Sequence, residues 1–186
     1  MGVDLFLTVG SQMPFDRLTA AVAHWVREQQ RVATNFDARA QVGTTQLDET
    51  ALRGLRWSRL MSPADYLLHC RHARVLVAHA GMGSVLTAMD LGIPMVLMPR
   101  RATLGETRSD HQLDTARHLQ RHWQGPPLRI AWDEHEVPDA LDAALQGHWP
   151  PPLAFAHRVG HEGPNRTAGR PELIAHLRGL INLQRR

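Results

Sequence analysis

Between Val75 and Gln112 the chain reads VLVAHAGMGSVLTAMDLGIPMVLMPRRATLGETRSDHQ. An apolar, β-branched run enters a turn carrying Gly81 and Gly83. A helical pattern follows, a second apolar run ends at Pro99, and a polar loop closes on Asp110-His111-Gln112. No other stretch constrains the fold as strongly. Two fully apolar strands joined by a helical crossover belong in a parallel sheet that is buried on both faces. In such sheets ligands bind beyond the carboxyl ends of the strands, where the loops of this stretch fall.

The rest of the chain extends the same alternation. Asp4 to Val9 reads as a first strand, Gly10-Ser11-Gln12 as a turn, and Asp16 as the cap of a helix reaching about Gln29. Leu18, Ala21, Val22, Trp25 and Val26 recur at helical spacing in that helix. A second strand falls within Ala38 to Val42, with Arg31 to Phe36 competing for it, and a short third strand within Leu55 to Met61. Ser62-Pro63 supplies an N-cap and a first-turn proline for a helix through His72. Arg74 to Ala78 is a central strand, Ser84 to Leu91 a helix closed by Gly92, and Pro94 to Met98 a further strand. Asp110 can cap a helix to about His122; a strand at Leu128 to Trp132 and a helix at Glu136 to Leu145 follow. The reading is α/β, a Rossmann-like doubly wound parallel sheet over residues 1–146. Residues 147–186 form a connection and a C-terminal amphipathic helix, Pro171 to Leu183.

Composition narrows the classes. A chain of 186 residues suits one α/β domain, and 43% hydrophobic with 21% charged residues is ordinary for a globular protein. The apolar runs fall far short of a membrane span, and MGVDLFLTVG lacks the basic lead of a secretory signal. A single cysteine, Cys70, excludes an internal disulfide and suits a reducing compartment, so the reading is cytoplasmic. All 21 basic residues are arginine, yet the formal excess is only +3, no basic run occurs and aromatics are 5%. That argues against a nucleic-acid partner and leaves an anionic membrane face as the better electrostatic alternative.

Three loops carry candidate chemistry. In His79-Ala80-Gly81-Met82-Gly83-Ser84, Gly81 and Gly83 permit positive φ and close backbone approach. Ser84 opens a helix whose free N–H groups suit a diphosphate, and His79 adds a donor, or a cation if its pKa rises. Taken alone, this turn fits glycine packing as well as a phosphate cradle. Gly10-Ser11-Gln12 repeats the arrangement after the first strand. Asp110-His111-Gln112 offers acceptor, donor and amide groups for a polyhydroxylated ligand, though Asp110 as a simple helix cap also fits. Glu106 stands in the same loop, open to sugar or solvent. Asp110, Asp114, His118 and His122 recur every four residues, but without zinc-type spacing a solvated helix face fits better, and no D-x-D motif is present to hold a metal-bound diphosphate. Cys70 reads as a packing position rather than a nucleophile.

On these motifs the chain resembles the C-terminal, donor-binding half of GT-B glycosyltransferases of the family 28 type. It is most similar to the small subunit of split enzymes, among them the dolichol-linked N-acetylglucosaminyltransferase pair and bacterial exopolysaccharide counterparts. The carriers are FLTVGSQMPFDRL, ARAQVG, and HAGMGSVLTAMDLGIPMVLMPR followed by DHQ, over roughly Leu5 to Leu119. The resemblance implies a UDP-sugar as donor substrate, with no metal or separate cofactor. His79, Gly81, Met82, Gly83 and Ser84 would hold its diphosphate, with Gly10, Ser11 and Gln12 across the cleft. Asp110, His111 and Gln112 would meet the sugar, and Leu60 to Pro63 would frame the uracil. Thr87 stands where such families often carry an acidic residue for the ribose hydroxyls.

The resemblance further implies a two-component inverting transferase in bacterial surface-polysaccharide synthesis. A membrane-anchored partner would bring the lipid-linked acceptor and the general base, with His79 as the fallback base, and would hold this chain at the inner membrane face. The helix at Leu173, Ile174, Leu177, Leu180 and Ile181 could dock on that partner or pack back on the domain. A non-catalytic accessory subunit is the alternative, favoured by Thr87, and a stand-alone nucleotide sensor is a third class.

Overall fold

The computed structural model describes residues 2–150. Six strands, β1 (Val3–Thr8), β2 (Ala38–Gln41), β3 (Arg56–Ser58), β4 (Ala73–His79), β5 (Met95–Met98) and β6 (Leu128–Ile130), form one sheet in the order β3-β2-β1-β4-β5-β6. Every neighbouring pair is parallel. Five helices cross over between or after them: α1 (Asp16–Val32), α2 (Pro63–His72), α3 (Met82–Leu91), α4 (His111–His122) and α5 (Val137–Leu145).

Strand alternation decides which helix covers which face. Leu5, Leu7, Val75, Val77, Val96 and Met98 pack with Leu18, Val22 and Val26 of α1 and Leu141 of α5. The intervening Phe6, Leu76, Ala78, Met95 and Leu97 pack with Cys70 of α2, Val85 and Ala88 of α3 and Leu119 of α4. Both faces of the central strands are thus dry, which is why they read as continuous apolar runs. Trp25 locks α1 to α5 through its indole N–H, which donates to Asp142 Oδ1 at 2.9 Å.

The doubly wound parallel sheet expected from the sequence is present. Its order reverses between β1 and β4: the chain moves outward through β2 and β3, then returns to the other side of β1. That reversal opens a crevice at the carboxyl ends of β1 and β4. Several local details differ from expectation. Arg31 to Phe36 holds no strand. Helix α3 starts two residues early, at Met82, so Gly83 and Ser84 lie inside its first turn. Asp16 does not cap α1, whose N-cap position is Phe15; its carboxylate instead accepts from the Thr45 hydroxyl and the Gln46 N–H, tying α1 to the loop after β2. Ser62 does cap α2, accepting from Asp65 N–H at 3.1 Å. Gly92 ends α3 with φ +68°. Cys70 is fully buried, and burial pushes its thiol up to about 11, in keeping with a packing role.

Among the described residues no helix is long and apolar enough to cross a membrane. The amphipathic helix expected at Pro171 to Leu183, with most of the connection before it, lies outside the described residues.

Leu97, wholly buried on a central strand, and Leu104, 55% exposed on a loop, give a matched test of this layering. Chemical denaturation of Leu97→Ala is expected to show a loss of about 2–5 kcal/mol. Leu104→Ala is expected to stay within about 0.5 kcal/mol of the parent.

Candidate functional site

Parallel pairing of β1 with β4, in which Thr8 lies opposite Ala78, brings the loops after both strands to one rim. An open cleft of about 280 Å³ lies there. Its lining is residues 9–13, His79, Arg100, Glu106, Thr107 and Gln112. It therefore joins the β1–α1 loop, the end of β4, the loop after β5 and the first turn of α4.

The glycines serve the His79 ring. Gly10 has φ +77°, a conformation L side chains rarely adopt, and a Cβ there would stand 3.1 Å from His79 Cε1. A Cβ on Gly81 would lie 2.2 Å from His79 Nε2, so any side chain would displace the imidazole. Neither Gly81 nor Gly83 adopts positive φ; Gly81 is needed for close packing, and a Cβ on Gly83 would meet open space. His79 Nδ1 is buried without a hydrogen-bond partner. Burial first, and the Arg100 guanidinium second, depress its pKa to about 4, while the nearby Thr8 backbone pulls weakly the other way. In the ligand-free protein His79 is a neutral imidazole at pH 7, not a cation.

Arg100 is the residue the sequence did not reveal. It is 4% exposed, and its guanidinium donates to four carbonyls: Pro14 O and Glu106 O at 2.8 Å from Nη1, Val9 O at 2.7 Å and Met13 O at 2.8 Å from Nη2. It also stacks over the buried Phe15 ring, 4.8 Å from the centroid. Glu106, expected to face sugar or solvent, is instead 9% exposed and structural. Its carboxylate takes Arg17 Nε at 2.8 Å and Nη2 at 3.0 Å, and accepts from the Arg101 N–H. Arg17 reaches on to Glu134 at 2.6 Å, tying α1 to the turn before α5. Apart from the contacts between Arg100, Arg101 and Glu106 within the loop, the partners of the Arg100 and Glu106 side chains are more than 80 positions away and leave no local pattern.

The expected site residues divide. Gly10, Ser11, Gln12, His79 and Gln112 line the cleft, and Gly81 abuts its histidine. The Gln112 amide oxygen is held by the Arg100 N–H at 3.1 Å, which leaves its NH₂ for a ligand. Met82 and Gly83 form the open first turn of α3, three residues beyond His79, and are not in the cleft lining. Ser84 is buried at 7% and its hydroxyl faces the Tyr66 phenol of α2, whose pKa is raised to about 12, chiefly by burial and then by Cys70. Thr87, one turn on, also neighbours Tyr66 and donates to Gly83 O at 2.9 Å. Asp110 and His111 are exposed and outside the cleft lining. Asp110 does not cap α4 through its side chain; it braces the polar loop by accepting from Ala102 N–H at 2.9 Å. Leu60, in the segment expected to frame the uracil, is 63% exposed at the same rim. On α4, Asp114 pairs with Arg117 and the His118 and His122 rings lie 4.7 Å apart, tilted by 41°; among the described residues no cluster could hold a metal ion.

What this arrangement offers chemically is backbone donors. Among the described residues the N–H groups of Gly10, Ser11, Gln12 and Met13 donate to no protein acceptor. Those of Met82, Gly83 and Ser84, at the start of α3, have no intrahelical partner. One set of free amides lines the cleft with the buried Arg100 guanidinium among its walls, and a second opens α3 three residues beyond His79, at the end of the neighbouring strand. That is an anion-binding geometry.

The fold and cleft define a doubly wound α/β domain whose ligand crevice lies at the topological switch point. The glycosyltransferase family 28 C-terminal domain matches residues 4–146, more than half of the chain, and the protein belongs to that family. No curated protein matches it. Of solved structures, the solution structure of ALG13 is similar at 17% identity and a TM-score of 0.52, over 84% of this chain and 91% of that one. The crystal structure of the glycotransferase of kitacinnamycin is similar at 19% identity and a TM-score of 0.50, over 79% of this chain and 35% of that one. The chain thus spans about a third of the latter enzyme. At such identities the likeness is one of fold.

Because His79 is depressed to about 4 when folded and lies near 6.5 when unfolded, the unfolded chain binds more protons between those values. This contribution to stability is fully present above pH 6.5 and is lost as the pH falls to 4, by about 3 kcal/mol at most. Denaturation across pH 4–7 is expected to show that slope in the parent and a flatter one in His79→Gln.

Proposed function

We propose that this protein is the donor-binding subunit of a two-component inverting glycosyltransferase that uses a UDP-sugar in bacterial surface-polysaccharide synthesis. The observation that carries the reading is a cleft lined by the free amides of residues 10–13, His79 and buried Arg100, with the open mouth of α3 following His79, in a family 28 domain. A nucleoside diphosphate-sugar matches that surface. Its diphosphate accepts from the two sets of N–H groups, and the Gln112 amide and the exposed Asp110 and His111 meet the sugar.

In the reaction the acceptor hydroxyl oxygen bonds to the anomeric carbon from the face opposite the diphosphate, the carbon–phosphate oxygen bond breaks, and the hydroxyl proton passes to a base. Negative charge grows on the departing diphosphate. Fixed dipoles at the α3 mouth and the Arg100 charge favour that growth, because they are already oriented and need no reorganisation. Neutral His79 can donate one hydrogen bond to the same group, but at a pKa of about 4 it is a poor base near pH 7. The base and the acceptor site are assigned to a partner subunit, which also brings the lipid-linked acceptor and holds this chain at the membrane face. No metal and no separate cofactor enters this scheme.

A second reading, a non-catalytic accessory subunit, draws on Thr87. Its hydroxyl hydrogen is engaged with Gly83 O, so it offers a ribose one acceptor in place of a carboxylate.

Titration calorimetry separates the two. Donor binding predicts that UDP binds and that uridine binds at least about tenfold more weakly, since the diphosphate carries the attraction. Equal affinities for UDP and uridine, or none for either, would favour the accessory role.

A further inference from the structure

We propose that Arg100 is a positioning residue that turns the Gly10–Met13 segment into an anion receptor: its guanidinium gathers the carbonyls of Val9, Met13, Pro14 and Glu106 on one side, leaving the segment's N–H groups for the ligand, and places a buried positive charge under the cleft. The inference rests on the donor-binding reading above and adds a residue to it.

The geometry demands a residue of this type. Four carbonyls from two loops converge on one group within 2.7–2.8 Å. Only a planar guanidinium has enough donors in a fixed fork to satisfy them together; an ammonium has three and no plane. The chain must curl to bring the Val9 and Met13 carbonyls to the same group, and Gly10, at φ +77°, absorbs the curl. With the carbonyls turned toward Arg100, the successive N–H groups are free, the arrangement of a backbone nest. Between Gly10 and Pro14 the described residues make no other long-range backbone hydrogen bond, so this guanidinium is what tethers the segment.

Electrostatics point the same way. Arg100 is 4% exposed, yet none of its hydrogen bonds goes to a carboxylate. The nearest candidate, Glu106, gives its carboxylate to Arg17 and to the Arg101 amide. A buried cation whose hydrogen bonds all go to carbonyls, and whose nearest carboxylate, Glu106, supports it through space while bonded to Arg17, is costly to maintain in the empty protein, and an anionic ligand at the cleft adds countercharge. Its field also helps to keep His79 neutral, so the imidazole meets the ligand as a hydrogen-bonding group and not as a second cation.

The test compares the parent with Arg100→Lys and Arg100→Gln, using UDP, inorganic pyrophosphate and uridine in calorimetry, with NMR backbone order parameters over residues 9–13 and hydrogen exchange of the core strands. Arg100→Lys is expected to lose at least about tenfold in affinity for UDP and pyrophosphate. Arg100→Gln is expected to lose more, and backbone order parameters over residues 9–13 are expected to fall in both while the amides of β1 and β4 stay protected from exchange. Any residual uridine binding is expected to be unchanged, which a general loss of structure would not give. A variant that keeps a protected core and binds UDP within twofold of the parent overturns the role of Arg100 and leaves the donor-binding reading standing. A parent that binds neither UDP nor pyrophosphate overturns both. Should both variants fail to fold, the parent alone decides: the Arg100 guanidinium nitrogen resonances are expected to shift on adding pyrophosphate and not uridine, and unshifted resonances overturn the inference.

Discussion

Everything at the candidate site follows from one pairing, β1 alongside β4 in parallel. Strands that run the same way end on the same side, so the loop after Thr8 and the loop after His79 must share a rim. The reversal of strand order at that point keeps a helix from filling the gap between them. The apolar residues that hold the two strands together, Leu5, Phe6, Leu7, Leu76 and Val77, are fully buried and touch no ligand. They nevertheless fix where the amides of residues 10–13 and 82–84 can stand.

Upon that frame a second layer of constraint is polar. Arg100 holds the β1–α1 loop to the loop after β5; Glu106 holds that second loop to α1 through Arg17; Glu134 extends the tie to the turn before α5. Arg17, Glu106 and Glu134 satisfy one another's charges and Arg100 is satisfied by carbonyls, which makes removing one partner expensive and favours a single loop arrangement. The cleft is therefore largely built before any ligand arrives. Preorganised donors are worth most where charge develops during a reaction, as it would on the departing diphosphate of the proposed transfer.

How much of this the sequence disclosed depends on the range of the interaction. Strand and helix identities were legible because burial imposes a period on neighbouring residues: the run Val75 to Ala78 and the spacing of Leu18, Val22, Trp25 and Val26 each declare their element. Local caps were legible in part. Ser62 caps α2 as its position suggests, while Asp16 and Asp110, equally good cap residues by type, are drawn off to Gln46 and Ala102 by contacts between elements. The glycine motif marked the right turn, but Gly81 makes room for a histidine two residues before it and not for positive φ. Arg100, Arg17 and Glu106 were opaque, because an arginine destined for four carbonyls looks, in sequence, like any arginine in a polar loop. Ser84 and Thr87 suggest ligand contacts by type, and the Tyr66 phenol beside them leaves no trace in the sequence.

The most direct measurement is a crystal structure of the protein with UDP. The account predicts density for the diphosphate over the backbone of residues 10–13 and at the mouth of α3, above Arg100. A nucleotide lodged elsewhere would contradict it, for instance in the polar pocket at Gln30, Asn35 and Arg56, which opens beside the start of β2.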